Sequence, residues 1–240
     1  VYGGEGNDTI YPGEGDDKSY GGAGDDVIYL SSGNDQEDGG EGNDTLKIAS
    51  NHSGIATTID LLLGQYYFTA QGSSAFFNLS GMENVDSQAG ASLTILDTPE
   101  VNIITTGSGD DVVKSVGGND IISTGGGDDR VELATGFVYD VKLGSGDDEV
   151  DGGRGADVLA DGAGDDVMEG GRGRDLLVDG AGDDALSGGR GRDLFVWTEA
   201  ALFGRAADAE DVIDGGRGRD TLVLRVADAS ADLGETAVAG

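Results

Sequence analysis

With 240 residues, a formal net charge of −33 and no cysteine, the chain repels nucleic acid and anionic membrane and can build neither a disulfide framework nor a thiolate site. Its 46 glycines fall on a period of nine rather than three, which excludes collagen. Acidity with few aromatics reads as disorder unless the acids hold a fixed phase between apolar residues, and here they do.

Five nine-residue units fill 3–47 in one phase: GGEGNDTIY, PGEGDDKSY, GGAGDDVIY, LSSGNDQED and GGEGNDTLK. Each has Gly fourth and Asp sixth. Their eighth positions run Ile10, Ser19, Ile28, Glu37 and Leu46. If two units make one coil, one wall receives Ile10, Ile28 and Leu46, while the other receives Ser19 and Glu37. A carboxylate turned into a core is costly unless paired. This block is therefore expected to be less stable, or its second wall distorted.

From 48 to 87 the repeat stops. Thr57, Thr58 and Ile59, then Tyr66, Tyr67 and Phe68, then Phe76 and Phe77 are strand formers. Gly and Ser interrupt every few residues, against helix. The stretch reads as short strands that continue the sheets with longer loops. The lone histidine, His52, sits among polar residues and reads as a loop residue, neither ligand nor base.

The phase returns with Ile95 and Ile104 at eighth positions, and is clear in TGSGDDVVK, SVGGNDIIS and TGGGDDRVE over 106–132. The unit 133–141 has lost its Asp, and one extra residue shifts the frame before Leu143. Six units then run unbroken over 143–196: LGSGDDEVD, GGRGADVLA, DGAGDDVME, GGRGRDLLV, DGAGDDALS and GGRGRDLFV. Residues 197–205 break the pattern, and Thr198 could cap a short helix over 199–208. A half-unit ends at Asp214, and GGRGRDTLV closes the series. The domain reading is a first block at 1–47, a β-rich insertion at 48–87, a second, partly degenerate block at 88–142, a third block at 143–223 with an insertion at 197–214, and a tail at 224–240. No apolar run approaches the ~20 residues needed to cross a bilayer. The chain opens at Val1 in mid-pattern without a signal peptide, as a piece of a longer protein would.

The nine-residue period has a physical reading. Alternate glycines permit a tight turn whose carbonyls converge. The last three residues are long enough for one short strand with its middle side chain inward. Two units close a coil of 18 residues, and coils stack at about 4.8 Å. Stacking brings the sixth-position carboxylates of successive coils together. A hard cation that takes 6–8 oxygens relieves their repulsion. Calcium fits better than magnesium, and zinc is disfavoured without His or Cys. The candidate ligands are Asp8, Asp17, Asp26, Asp35, Asp44, Asp111, Asp120, Asp129, Asp148, Asp157, Asp166, Asp175, Asp184, Asp193 and Asp220.

Fifteen units with Gly fourth and Asp sixth resemble the RTX, or hemolysin-type, calcium-binding nonapeptide repeat. The resemblance implies an all-β fold, a right-handed parallel β-roll solenoid with 18 residues per coil, here carrying an irregular β insertion. It implies calcium between consecutive turns, bound by the sixth-position Asp and by turn carbonyls such as Gly4, Gly6, Gly22, Gly24, Gly144, Gly146, Gly153, Gly155, Gly162, Gly164, Gly171 and Gly173. It implies a secreted bacterial protein, exported by a type I system and folding in external calcium. The stretch 81–85 resembles the spacer between repeat blocks in such proteins. Same-edge pairs within each block suggest roughly eight ions.

No His-Glu-x-x-His or Gly-x-Ser-x-Gly is present, so protease and lipase chemistry is not expected in this segment. The parent could be an enzyme carrying this module at its C-terminus, a secreted hydrolase or epimerase, or an adhesin or toxin that binds a partner. Arg154, Arg172, Arg174, Arg190 and Arg192 share one edge, opposite Asp161, Asp165, Asp179 and Asp183, and read first as charge balance and second as a dock for an acidic partner or polysaccharide. Val158, Ala160, Leu176, Val178, Leu194 and Val196 make an apolar outer ladder, expected to be covered by 197–208 or the tail, with self-association as the second reading. Tyr11 and Tyr29 form a similar outer pair.

Overall fold

The computed structural model describes residues 1–30, 35–48, 56–70, 73–88, 90–134, 139–197 and 211–224. Among these residues every regular element is a strand. The strands form a parallel β-solenoid with two walls. One wall is a thirteen-stranded sheet running from Tyr2–Glu5 to Val212–Asp214, and the other an eleven-stranded sheet running from Thr9–Ile10 to Thr221–Leu224. Strands that follow one another along the repeats alternate between walls, as a turn-strand unit of nine residues demands.

Most strands are three residues long, with only the middle side chain buried, as in Val158–Ala160 and Val167–Glu169. The period-two alternation of a strand produces this. The eighth positions therefore stack into two inner ladders. On the eleven-stranded wall they run Ile10, Ile28, Leu46, Val85, Ile104, Ile122, Val141, Leu159, Leu177, Phe195 and Leu222, each opposite the next. On the other wall Ile59, Ile95, Val113, Val131, Val150, Met168, Leu186 and Ile213 do the same. The two ladders meet as one core.

The insertion is strand throughout its described part. Ala56–Asp60, Gln65–Ala70 and Ser73–Ser80 enter the thirteen-stranded wall as an antiparallel meander, and Asn84–Ser87 joins the other wall in parallel. One wall thus carries two strands more than the other, a difference of about 10 Å in wall length.

The second wall of the first block is not distorted. Ser19 pairs with Glu37, and Glu37 with Leu79, in an unbroken parallel register. Ser19 and Glu37 are buried at 1% and 0% exposure. The insertion closes over Glu37: Tyr66 turns inward and is fully buried, and its hydroxyl bears on the Glu37 carboxyl, whose two oxygens make no hydrogen bond of normal geometry among the described residues. Burial, reinforced by Asp35, pushes Glu37 up to about 8 against the opposing effect of that hydroxyl. Glu37 thus enters the roll as a neutral acid. Its unfolded value is about 4.3, so its contribution to stability is intact below that pH and is lost as pH rises towards 8. Glu37→Gln keeps the volume and removes the loss. The variant should fold at lower calcium than wild type, with an advantage that grows between pH 6 and pH 8, up to about 4 kcal/mol. Calcium midpoints at the two pH values check this, and an advantage that shrinks with pH contradicts it.

The extra residue lies within 133–142. Register steps by one across it, Val131 facing Val150 and Ile122 facing Val141, and every later coil stays in phase. On the outer faces Tyr11 stacks on Tyr29 with ring centroids 4.3 Å apart, and Tyr2 on Tyr20 at 4.7 Å. Leu176 is half-buried and Leu194 is 36% exposed. The segments expected to cover them, at 198–208 and in the tail, and His52, lie outside the described residues.

Candidate metal centre

Each sixth-position Asp sits where the turn enters a strand, and its backbone carbonyl starts the ladder to the next coil. Asp157 O accepts the Leu176 N–H at 2.8 Å, and Asp166 O accepts Ala185 N–H at 2.8 Å. Its side chain then locks the turn to its neighbour. Oδ1 accepts the backbone N–H of the corresponding residue one coil earlier, as in Asp157 to Asp175 and Asp175 to Asp193, both at 3.0 Å. Eleven Asp pairs among the described residues are joined this way. They are 8–26, 26–44 and 17–35; 111–129, 129–148, 148–166, 166–184 and 184–211; and 157–175, 175–193 and 193–220.

That bond uses one carboxylate oxygen. The other, Oδ2, is buried without a hydrogen-bond partner among the described residues at Asp8, Asp26, Asp44, Asp111, Asp129, Asp148, Asp157, Asp166, Asp175 and Asp193. A protein interior rarely leaves polar atoms in this state, and a row of them at one repeat position asks for a ligand. Without one, burial drives the carboxyls upward: Asp111, Asp129, Asp148 and Asp175 to about 6, and Asp157 and Asp166 to about 7. A divalent cation reverses that balance, so the donor set fits a hard cation.

The glycines shape the same turns. Gly4, Gly6, Gly22, Gly24, Gly146, Gly153, Gly164 and Gly171 hold positive φ, whereas Gly144, Gly155, Gly162 and Gly173 do not. The carbonyls of Gly144, Gly153, Gly162 and Gly171 each accept an N–H from the next coil, at 2.9–3.0 Å for the first three and 2.7 Å for Gly171. A carbonyl has a second lone pair for a cation. First-position glycine leaves room for the Asp of its own unit. A Cβ added at Gly170 would lie 2.9 Å from Asp175 Oδ2, and one at Gly188 would lie 2.8 Å from Asp193 Oδ2.

Some participants were not evident in the sequence. Glu83 takes the place above Asp44, whose N–H it accepts at 2.8 Å. Asn102 stands in a sixth position and donates its N–H to Asp120 Oδ1 at 2.9 Å. Asp211 follows Asp184 in its column. The string Asp211-Val212-Ile213-Asp214 carries the signal, since Asp two before an inward Ile is positions six and eight of a unit. In 133–142 the sixth place falls to Tyr139. It is 1% exposed, donates its N–H to Asp157 Oδ1 at 3.2 Å, and is bonded through its hydroxyl to Ser115. The column holding Asp120 and Asp157 is interrupted there.

Fifth-position residues form a second, exposed ladder running the other way, with the Asp165 N–H on Asp147 Oδ1 and the Asp183 N–H on Asp165 Oδ1. On the opposite edge Arg154, Arg172, Arg190 and Arg217 stack through backbone pairing at the third position. No ion pair to these arginines occurs among the described residues; the pairs there involve Lys47, Lys114 and Arg130.

The family model described as the RTX calcium-binding nonapeptide repeat matches residues 1–18, 11–46, 99–136, 143–177, 161–195 and 206–223, together more than half of the chain. No curated protein matches the chain. The unmatched stretch between 46 and 99 contains the meander that the structure places in one wall. Repeat phase, stacked turns and buried carboxylate rows agree with the match, and the chain belongs to the RTX calcium-binding nonapeptide repeat family.

Proposed function

We propose that this chain is a non-catalytic β-roll segment of a secreted bacterial protein that folds when external calcium fills its turns. The observation that carries this reading is the row of ten buried sixth-position Oδ2 atoms, from Asp8 to Asp193, that have no hydrogen-bond partner among the described residues. The sixth-position Asp residues and the turn carbonyls are the proposed ligands. Stacked Asp pairs set the ion count, between the roughly eight pairs within blocks and the eleven that the continuous register joins. Low calcium in a cytoplasm keeps such a chain unfolded for export, and millimolar calcium outside matches the 10⁻⁴–10⁻³ M affinities of extracellular calcium modules. Equilibrium dialysis of the chain against calcium tests the reading. Uptake of eight to eleven ions per chain is expected, and uptake of none overturns it.

A further inference from the structure

We propose that Asp161, Asp179 and Asp184 form an additional calcium site inside the roll, separate from the turn sites except for sharing Asp184. The first position of a unit follows an outward ninth residue, so its side chain points inward beneath the turn. Along this edge the column reads Leu30, Thr106, Thr124, Leu143, Asp161 and Asp179, all buried. Leucines at 30 and 143 mark it as an apolar place. On the other edge the position holds a glycine such as Gly170, Leu133, a hydroxyl that satisfies a buried carboxylate, as Ser115 does for Asp120 at 2.8 Å, or Asp97, whose Oδ1 accepts the Val116 N–H at 2.7 Å. Asp161 has no such use. It is 8% exposed, and both its oxygens are buried without a hydrogen-bond partner among the described residues.

One carboxylate oxygen from each of Asp161, Asp179 and Asp184 lies within 4.8 Å of the others, and all three residues are buried. Oxygens that share one calcium at 2.3–2.6 Å can stand up to about 5 Å apart, so the three can share an ion. The charges that bear most on Asp161 are Asp184, Asp166, Asp179 and Asp211, all acidic. With only oxygen donors in the set, calcium is the expected occupant.

The inference rests on the proposed function only through Asp184, and the test separates the two. The double variant Asp161→Leu/Asp179→Leu places in both coils the residue that Leu143 already contributes to the column. Wild type and variant are dialysed against calcium alone, with far-UV circular dichroism confirming the folded state. Asp161→Asn/Asp179→Asn, close in shape, serves if the leucine variant does not fold. The expected result is one calcium fewer per chain in the variant, with the folded spectrum retained. Equal, non-zero counts overturn the interior site and leave the turn sites standing. No uptake by either protein overturns both.

Discussion

Asp175→Ala is expected to raise the calcium concentration needed for folding roughly two- to threefold, the shift made by a loss of roughly 3–5 kcal/mol at fixed calcium when eight or more ions are linked to folding. Asp175 lies between Asp157 and Asp193 in an uninterrupted column. Removing its carboxylate strands the buried Asp157 N–H, at about 1–3 kcal/mol. It also takes an anionic oxygen from two stacked pairs. A site at tenfold excess of ligand contributes about 1.4 kcal/mol, so two weakened sites account for the rest. Asp175→Asn keeps the acceptor for the Asp157 N–H and loses the charge, so it should fall between. Calcium titrations followed by circular dichroism check the series, and equal midpoints for wild type and Asp175→Ala contradict the ligand assignment.

The second large effect is steric. Gly171→Ala should destabilise the calcium-loaded roll by at least about 3 kcal/mol. Gly171 has φ +87°, and a Cβ there would overlap the Gly153 carbonyl oxygen of the coil before it. That carbonyl cannot retreat, since it accepts the Arg172 N–H at 2.9 Å in the stacked turns. Gly6 is the control. It has φ +98° but nothing within 4 Å of an added Cβ. Gly6→Ala should therefore show only the conformational cost, about 1–2 kcal/mol. Thermal melts in saturating calcium compare the two, and equal losses contradict the stacking argument.

The nine-residue phase made the solenoid, the inward eighth positions and the sixth-position column readable in the sequence, because each follows from turn geometry and strand alternation alone. Three things were not readable. Neutralisation of Glu37 comes from its burial beneath the meander, and how the meander pairs is something no local pattern encodes. The inward direction of the first position was hidden because glycine, having no side chain, occupies it in units such as those starting at Gly152, Gly170 and Gly188. Leu30 and Leu143 were the available clue. Glu83 and Tyr139 replace ligand positions without resembling them, so only the register reveals their place. The count of stacked pairs rose for a related reason. Register passes across the boundary before Leu143 and beyond 197–210, joining Asp129 to Asp148, Asp184 to Asp211 and Asp193 to Asp220.

The central claim is that cations between stacked carboxylates hold this roll together. Far-UV circular dichroism of the chain in EDTA, then in millimolar calcium, tests it most directly. A largely unfolded spectrum in EDTA that converts to a β-sheet spectrum on calcium addition is the predicted result; an unchanged, folded spectrum in EDTA would contradict it.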